Sequence, residues 1–159
     1  MKKLLLGIFF GLIIGGLVGF AAGIVVFPFL FPPPEVNEKV TGKSINDVVA
    51  TGEFIHADPS DPIHYGSGKV TVYDDLVHLG DDFNVAPGPK YHVFLVPDTD
   101  VTPQTDVESR NFLDLGRLKA FSGSQNYAIP ADANPKGFGS VVIWCEQFNV
   151  LISPATLMF

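Results

Sequence analysis

Hydrophobic and polar positions divide the chain into two parts with different patterns. An uncharged apolar stretch runs from Leu4 to about Phe31 and is interrupted only by glycines and one proline. From about residue 52 onward, apolar residues alternate with polar ones in short runs that are separated by turn residues. The first pattern is typical of a membrane-spanning helix, and the second is typical of β-strands.

The apolar stretch predicts a transmembrane helix over residues 4–27. A helix of this length extends about 36 Å at ~1.5 Å per residue, which exceeds a hydrocarbon core of roughly 30 Å. A cleaved signal peptide usually has a shorter apolar region of about 7 to 15 residues and a small-x-small cleavage site, which this segment lacks. Lipoprotein processing is excluded because the first cysteine is Cys145. We therefore expect the helix to be retained as an anchor.

The positions of the lysines predict the orientation of this anchor. Lys2 and Lys3 precede the helix, and no Lys or Arg follows it until Lys39. By the positive-inside rule, residues 1–3 form a cytoplasmic stub and the C-terminal domain lies outside the cytoplasm. The expected localisation is a single-pass membrane protein.

Residues 28–51 are expected to form a proline-rich spacer and lead-in. Pro28 and the run Pro32–Pro34 should end the helix and impose extended geometry. A single helical turn is predicted over Ser44–Ala50, with Ser44 as its N-cap. The remaining residues, 52–159, are enough for one domain with its own core but not for two.

Five glycines recur at every fourth position of the predicted helix: Gly7, Gly11, Gly15, Gly19 and Gly23. Small residues at this spacing allow two helix backbones to approach closely within a membrane. The stripe therefore predicts helix packing, either in a homo-oligomer or with a partner helix. The alternative is that glycine is simply common in membrane helices.

The outer segment predicts an all-β domain. Lys69–Tyr73 and Leu76–Leu79 alternate on either side of an Asp-Asp turn, which is a hairpin pattern with one polar face. Further strands are predicted over residues 83–85, 91–96, 112–118, 127–129 and 141–152. About seven short strands with turn signals between them indicate a β-sandwich or barrel.

Charge narrows the range of partners. The formal net charge is −7, and removing Lys2 and Lys3 from the 10 basic residues leaves 8 against 17 acidic ones, a charge of −9 for the outer part. A surface of this charge is a poor partner for nucleic acid or for anionic lipid.

Familiar cofactor and catalytic motifs are missing. Gly66–Lys69 is similar to the end of a phosphate-binding loop, but Ile63 stands where the first glycine belongs and Val70 where Ser or Thr belongs. A single cysteine cannot supply the Cys-x-x-Cys-His motif of a c-type haem, and no Gly-x-Ser-x-Gly elbow is present. The acidic interval 98–111 fits no EF-hand and is expected to be a solvated loop. The sequence therefore requires no cofactor and offers no acid, base and nucleophile set for an enzyme.

Several motifs, taken in order, carry a resemblance to a known family. They are Gly52-Glu-Phe54, His64-Tyr-Gly-Ser-Gly68, Gly88-Pro89 with Tyr91-His-Val-Phe-Leu95, Gly123-Ser-Gln-Asn-Tyr-Ala-Ile-Pro130 and Ser140-Val-Val-Ile-Trp-Cys145. In this order they resemble the DM-thirteen domain, an electron-transfer module also found in Skeletor-type proteins. The resemblance covers essentially residues 52–157 and implies a DOMON-like β-sandwich.

The resemblance also implies candidate functional residues. Cys145 matches the family cysteine that is proposed to serve redox chemistry, and His64 matches a family histidine. Haem or a metal ion is compatible with such a site, with His64 and His92 as the candidate cofactor-binding residues, and the redox partner is unknown. Lys90 replaces the Asp that usually follows Gly-Pro, which reverses a charge beside His92.

Two interpretations of Cys145 follow from the residues themselves. It is the only cysteine of a chain predicted for export, into surroundings where thiols normally pair, and it lies in a dense apolar run. It is either a small core residue or a redox thiol. A histidine next to it, His64 or His92, would stabilise the thiolate and lower the pKa of the thiol below its usual value near ~8.5. If neither histidine lies next to the thiol, His64 stabilises a turn and the ring of His92 makes its hydrogen bonds within its sheet.

The neighbouring motif residues are expected to be structural. Strand alternation places Val141, Ile143 and Cys145 on one face of their strand and Trp144 on the other. Trp144 is predicted to be a core anchor with a bonded indole N–H. Three further residues are predicted to anchor a loop through bonds to the backbone: Gln125, Asn126 and Tyr127.

The sequence as a whole predicts a membrane-anchored extracytoplasmic redox module that uses Cys145. The alternative is an anchored binding or assembly module, without catalysis, in which Cys145 only packs.

Overall fold

The computed structural model describes residues 2–159, without the side chain of Val25. Helix α1 spans Lys2–Leu30. Its segment Lys2–Ile24 is long and apolar enough to cross a membrane, and none of that segment is buried against the rest of the protein. A continuous apolar surface of this kind is normally covered by lipid or by another protein.

Pro28 lies inside α1 instead of ending it. Its ring removes one backbone N–H and therefore one helical hydrogen bond, yet the N–H of Phe31 still donates to the carbonyl of Phe27 at 2.9 Å. The helix ends just before Pro32–Pro34, because consecutive prolines cannot donate helical hydrogen bonds and favour extended backbone.

Nine strands follow the helix. They are β1 (Val48–Phe54), β2 (Gly66–Tyr73), β3 (Leu76–Leu79), β4 (Asn84–Val85), β5 (Tyr91–Val96), β6 (Leu113–Arg117), β7 (Gln125–Ala128), β8 (Ser140–Cys145) and β9 (Val150–Thr156). Short 3₁₀ turns occur at Ile45–Asp47, Val107–Ser109 and Pro135–Gly137.

The strands form two antiparallel sheets arranged as a sandwich. One sheet has the order β1-β2-β3-β7, with β4 also paired to β2, and the other has the order β6-β5-β8-β9. The predicted hairpin is β2 and β3, in which Val72 lies opposite Val77. The all-β prediction is therefore confirmed, and the sheets do not close into a barrel.

The main core lies between the two sheets, and a smaller one lies on the outer face of the second sheet. The first contains fully buried Val77 and Leu79 from one sheet and Val93 and Ile143 from the other. The second core is formed by Phe94, Val96, Val142, Trp144 and Leu151, together with loop residues Val101 and Val107. Because the loop that carries Val101 and Val107 packs on that face, β8 is apolar on both sides.

The predicted helical turn after the spacer is shorter than expected. Only Ile45–Asp47 forms a 3₁₀ turn, and both the N–H and the hydroxyl of Ser44 donate to the Asp47 carboxylate, at 2.6 and 3.0 Å. From Val48 onward the chain is strand β1, because these residues pair with β2. The pairing of β-branched residues with a distant strand outweighs the local helical signal.

The spacer is held against the domain next to β7. The Glu38 carboxylate accepts hydrogen bonds from the Lys119 ammonium at 2.7 Å and from the Asn126 N–H at 2.7 Å. The backbone N–H of Glu38 donates to the Ser124 carbonyl at 2.9 Å. The carbonyl of Val36 lies so close to Gly123 that a Cβ there would clash with it. These contacts determine where the chain leaves the domain toward α1.

Candidate functional site

Cys145 is the last residue of β8 and lies in the core between the sheets. It is 2% exposed and directly opposite Tyr91 of β5, so the two side chains share one face of the sheet. Val141 and Ile143 belong to the same core, whereas Trp144 belongs to the outer core. The predicted alternation along β8 is therefore confirmed.

The thiol of Cys145 donates a hydrogen bond to the backbone. Its Sγ donates to the carbonyl oxygen of Pro89 at 3.3 Å. Burial raises the pKa of the thiol, and the backbone N–H groups of Phe148 and Gln147 oppose this effect. Because burial is the largest cause, Cys145 is a protonated thiol at neutral pH and a poor nucleophile in this state.

Tyr91 covers the thiol from the side of β5. Burial, and secondly the neighbouring Cys145, raise the pKa of its hydroxyl. The ring contacts Phe121 edge-on, with 5.9 Å between centroids, and the hydroxyl lies directly over Gly88. Pro89 and Tyr91 therefore form a cover over Cys145, which we call the Pro89–Tyr91 wall.

The other side of the Pro89–Tyr91 wall faces a groove of about 830 Å³. Phe121 extends the domain side of this groove, and Phe20 and Phe27 of α1 form the opposite side. Cys145 does not line the groove, although it contacts both residues of the wall. The thiol thus lies one layer of residues behind the groove.

His92 lies on the outer face of the second sheet, away from Cys145. Its two ring nitrogens contact carboxylates of Asp114 at 2.9 Å and Glu146 at 3.1 Å. Lys90 pairs with the same Glu146 at 3.2 Å, so its positive charge has a local partner. His92 is satisfied within its sheet, and the structure does not bring it to the thiol.

His64 lies in a different part of the domain. Its Nδ1 pairs with Asp61 at 2.6 Å, and the Asp61 carboxylate also accepts the backbone N–H groups of Ile63 and His64. The bond from His64, followed by that from Ile63, lowers the pKa of Asp61 to about 2. His64 lines a separate cavity of about 160 Å³ and makes no hydrogen bond to Cys145. This geometry supports its role in stabilising a turn.

The residues around Cys145 do not fit a metal ion or an axially ligated haem. The described part of the chain holds no group of three or more His, Cys, Asp or Glu residues that could bind a metal ion. The thiol lies behind the Pro89–Tyr91 wall and does not line the groove. Neither histidine shares a site with it, because His64 lines a separate cavity and both ring nitrogens of His92 contact carboxylates. No chemical step at this site is therefore assigned to a metal or haem.

Gln125 and Asn126 bond to neighbouring segments of the chain. Gln125 is fully buried, and its side-chain oxygen accepts bonds from the N–H groups of Lys119 and Ala120 and from the hydroxyl of Tyr127. The side chain of Asn126 donates to the carbonyl of the spacer residue Lys39.

Trp144 is 5% exposed and lies in the outer core. Its indole N–H, expected to be bonded, has no partner among the described residues.

Sequence reasoning missed the Pro89–Tyr91 wall. Gly88-Pro89 and Tyr91 occur in the quoted motifs, but nothing local shows that β5 lies beside β8. A covariation between positions 91 and 145 is the signal that would have revealed this pair.

Comparisons with known proteins identify the family. No curated protein and no solved structure matches the chain. The family model described as electron transfer DM13 matches residues 59–157, which is more than half of the chain. This range includes Tyr91, Cys145 and the domain side of the groove. The chain therefore belongs to the electron transfer DM13 family.

Proposed function

We propose that this protein is a membrane-anchored, extracytoplasmic electron-transfer module whose redox residue is Cys145. Family membership supplies electron transfer as the class of function. The choice of Cys145 rests on its position directly behind the Pro89–Tyr91 wall. There, one layer of residues separates the thiol from a large groove.

The chemistry begins with movement of the Pro89–Tyr91 wall, because a buried and protonated thiol is unreactive. Once Sγ is uncovered, the N–H groups of Gln147 and Phe148 favour the thiolate. The thiolate then attacks a disulfide of a partner protein. A new S–S bond forms to Cys145, the S–S bond of the partner breaks, and the thiol proton passes to the released sulfur. Cys145 is oxidised and the released partner sulfur is reduced.

A second candidate is an anchored binding or assembly module in which Cys145 only packs. The 2% exposure of Cys145 favours it, as does the place of this residue in the core between the sheets. Buried cysteines usually behave as small hydrophobic residues. The two candidates differ in whether the thiol reacts while the protein is folded.

Thiol exchange in the folded protein distinguishes these candidates. Full-length protein in detergent is incubated with glutathione disulfide with and without denaturant, and adducts are counted by mass spectrometry. We expect one adduct on the folded protein, formed more slowly than on the denatured chain, and none on Cys145→Ser. An optical spectrum and metal analysis of the same sample should show neither haem nor metal. Reaction only after denaturation would overturn the redox role and favour the packing candidate.

Anchoring, orientation and helix association belong to the same proposal. Helix α1 is long and apolar enough to anchor the protein, and Lys2 and Lys3 favour a cytoplasmic N-terminus. A Cβ placed on any of the five stripe glycines meets no atom within 4 Å outside the local helix backbone. Gly23 lines the groove beside the domain, and the stripe from Gly7 to Gly19 is accessible to a second helix. We propose that this part of the stripe mediates self-association.

A further inference from the structure

The groove beside the Pro89–Tyr91 wall has an unusual lining for so acidic a chain. Three basic residues line it, Lys90, Arg117 and Lys119, and none of the described lining residues is acidic. The chain as a whole has 17 acidic and 10 basic residues. The fold thus gathers positive charge from separate positions along one side of a single groove.

The rest of the lining is mostly apolar and continuous with the helix. Phe20 and Phe27 of α1, and Phe31 just after its end, line the groove together with Phe121 and Leu118 of the domain. Phe27 and Phe31 are 59% and 65% exposed, so the domain leaves much of their surface uncovered. An acyl chain leaving a bilayer around α1 can follow this apolar lining into the groove without crossing water.

Arg117 is the basic residue best placed to bind a further anion. The Lys119 ammonium is engaged by Glu38 at 2.7 Å and that of Lys90 by Glu146 at 3.2 Å. In the described part of the chain, no carboxylate lies within 4 Å of the Arg117 guanidinium. A guanidinium presents a planar fork of N–H donors that matches two oxygens of a phosphate.

We propose that this groove binds one anionic phospholipid. The phosphate lies at Arg117, with Lys90 and Lys119 beside it, and an acyl chain packs between Phe27 and Phe121. The net charge disfavours adsorption of the whole domain to an anionic surface. A single phosphate at Arg117 is different, because the nearby carboxylates of Glu38 and Glu146 are already paired with lysines. Exposed carboxylates farther away than about 8 Å are largely screened at physiological salt.

This inference rests on the membrane anchoring in the proposed function and not on redox chemistry at Cys145. A lipid in the groove lies against Pro89 and Tyr91, on the side away from the thiol. A bound lipid is therefore expected to shield the groove side of the Pro89–Tyr91 wall from solvent.

Lipid binding is tested with full-length protein in a mild detergent. Native mass spectrometry counts bound lipid after addition of phosphatidylglycerol or phosphatidylcholine, and thermal unfolding is followed in parallel. We expect one phosphatidylglycerol to bind and to raise Tm, and phosphatidylcholine to bind more weakly. Arg117→Gln should weaken phosphatidylglycerol binding about tenfold, because a charge-assisted bidentate contact is lost. Arg110→Gln is the matched control, since Arg110 pairs with Asp98 outside the groove.

Three results would overturn the proposal: equal binding of both lipids, unchanged binding by Arg117→Gln, or an equal rise in Tm with inorganic phosphate alone. The last result would identify a site for a soluble anion. Cys145→Ser is expected to bind phosphatidylglycerol as the wild type does. The two proposals can therefore fail separately. A protein whose thiol does not react while folded could still bind the lipid, and a protein that does not bind the lipid could still exchange its thiol.

Discussion

Tyr91 reaches its place over Cys145 because residue 88 is a glycine. Its hydroxyl lies directly over Gly88, where a Cβ would clash with it, and Phe121 supports the ring from the side. The phenol ring is rigid beyond its two torsions, so the clash can be relieved only by moving the whole side chain or the backbone. At the residue scale, the cover of the thiol therefore depends on the close approach of Tyr91 to Gly88.

Gly88→Ala is predicted to displace Tyr91 and uncover the thiol. The labelling rate of Cys145 in the folded protein should rise, and the free energy of unfolding should fall by about 1–3 kcal/mol, as for other overpacked sites. Maleimide labelling kinetics and denaturant unfolding measure the two effects. Gly137→Ala is the control, because a Cβ at Gly137 meets no atom within 4 Å and both quantities should be unchanged. An unaltered labelling rate in Gly88→Ala would show that Tyr91 is not the cover.

The spacer is the element that determines where α1 meets the domain. Glu38 bonds to both Lys119 and the backbone of Asn126, and the carbonyl of Val36 approaches Gly123. The hydrogen bond from Lys119 is the largest cause of the lowered pKa of Glu38. Since the folded-state pKa is lowered, the contact stabilises docking above the ordinary glutamate pKa of 4.5 and is lost as pH falls through the folded value.

Glu38→Gln is predicted to loosen the spacer at neutral pH. The amide protons of Glu38 and Asn126 should exchange faster with deuterium, because the charge-assisted bonds are lost. Relative to the intrinsic exchange rate at each pH, the wild type should lose protection similarly only in acid, below pH 4.5, as its carboxylate becomes protonated. Glu53→Gln, an exposed substitution on β1, serves as the control and should leave exchange unchanged. Equal exchange in wild type and Glu38→Gln at neutral pH would contradict the docking role.

The elements predicted correctly are those whose signals are local. The hairpin of β2 and β3 follows from alternation around the Asp74-Asp75 turn, within a single short segment. Strand β1 was missed at Val48–Ala50, because its pairing with β2 is a non-local contact that local propensity does not report. Pro28 was expected to end α1, but one lost hydrogen bond in the last turns of a long apolar helix does not prevent it from continuing to Leu30.

In the whole molecule, an apolar helix and an acidic β-sandwich meet at one groove. The N-terminal stripe glycines of α1 are open to a second helix, as a Cβ on Gly7, Gly11 or Gly15 meets no atom within 4 Å outside the local helix backbone. Association through the stripe would place two domains side by side near one membrane surface.

Gly15→Ile is predicted to weaken this association. A branched side chain on the stripe keeps the two backbones apart, whereas Gly16→Ile adds the same side chain beside the stripe and should be tolerated. Crosslinking in native membranes measures the dimer fraction, which should fall for Gly15→Ile and persist for Gly16→Ile. A monomer band alone in the wild type and in both variants would rule out association.

Four features could be predicted from the sequence alone: the apolar helix, the all-β domain, the faces of β8 and the family resemblance. Helix length, alternation and motif order are properties of short segments, so they can be predicted without knowing which segments meet. The surroundings of Cys145 were decided only by the tertiary structure. The pairing of β5 with β8 put Tyr91 opposite the thiol and left His92 on the other face of the sheet. Likewise, only the fold gathered Lys90, Arg117 and Lys119 in one groove, because such contacts depend on how distant parts of the chain pack together.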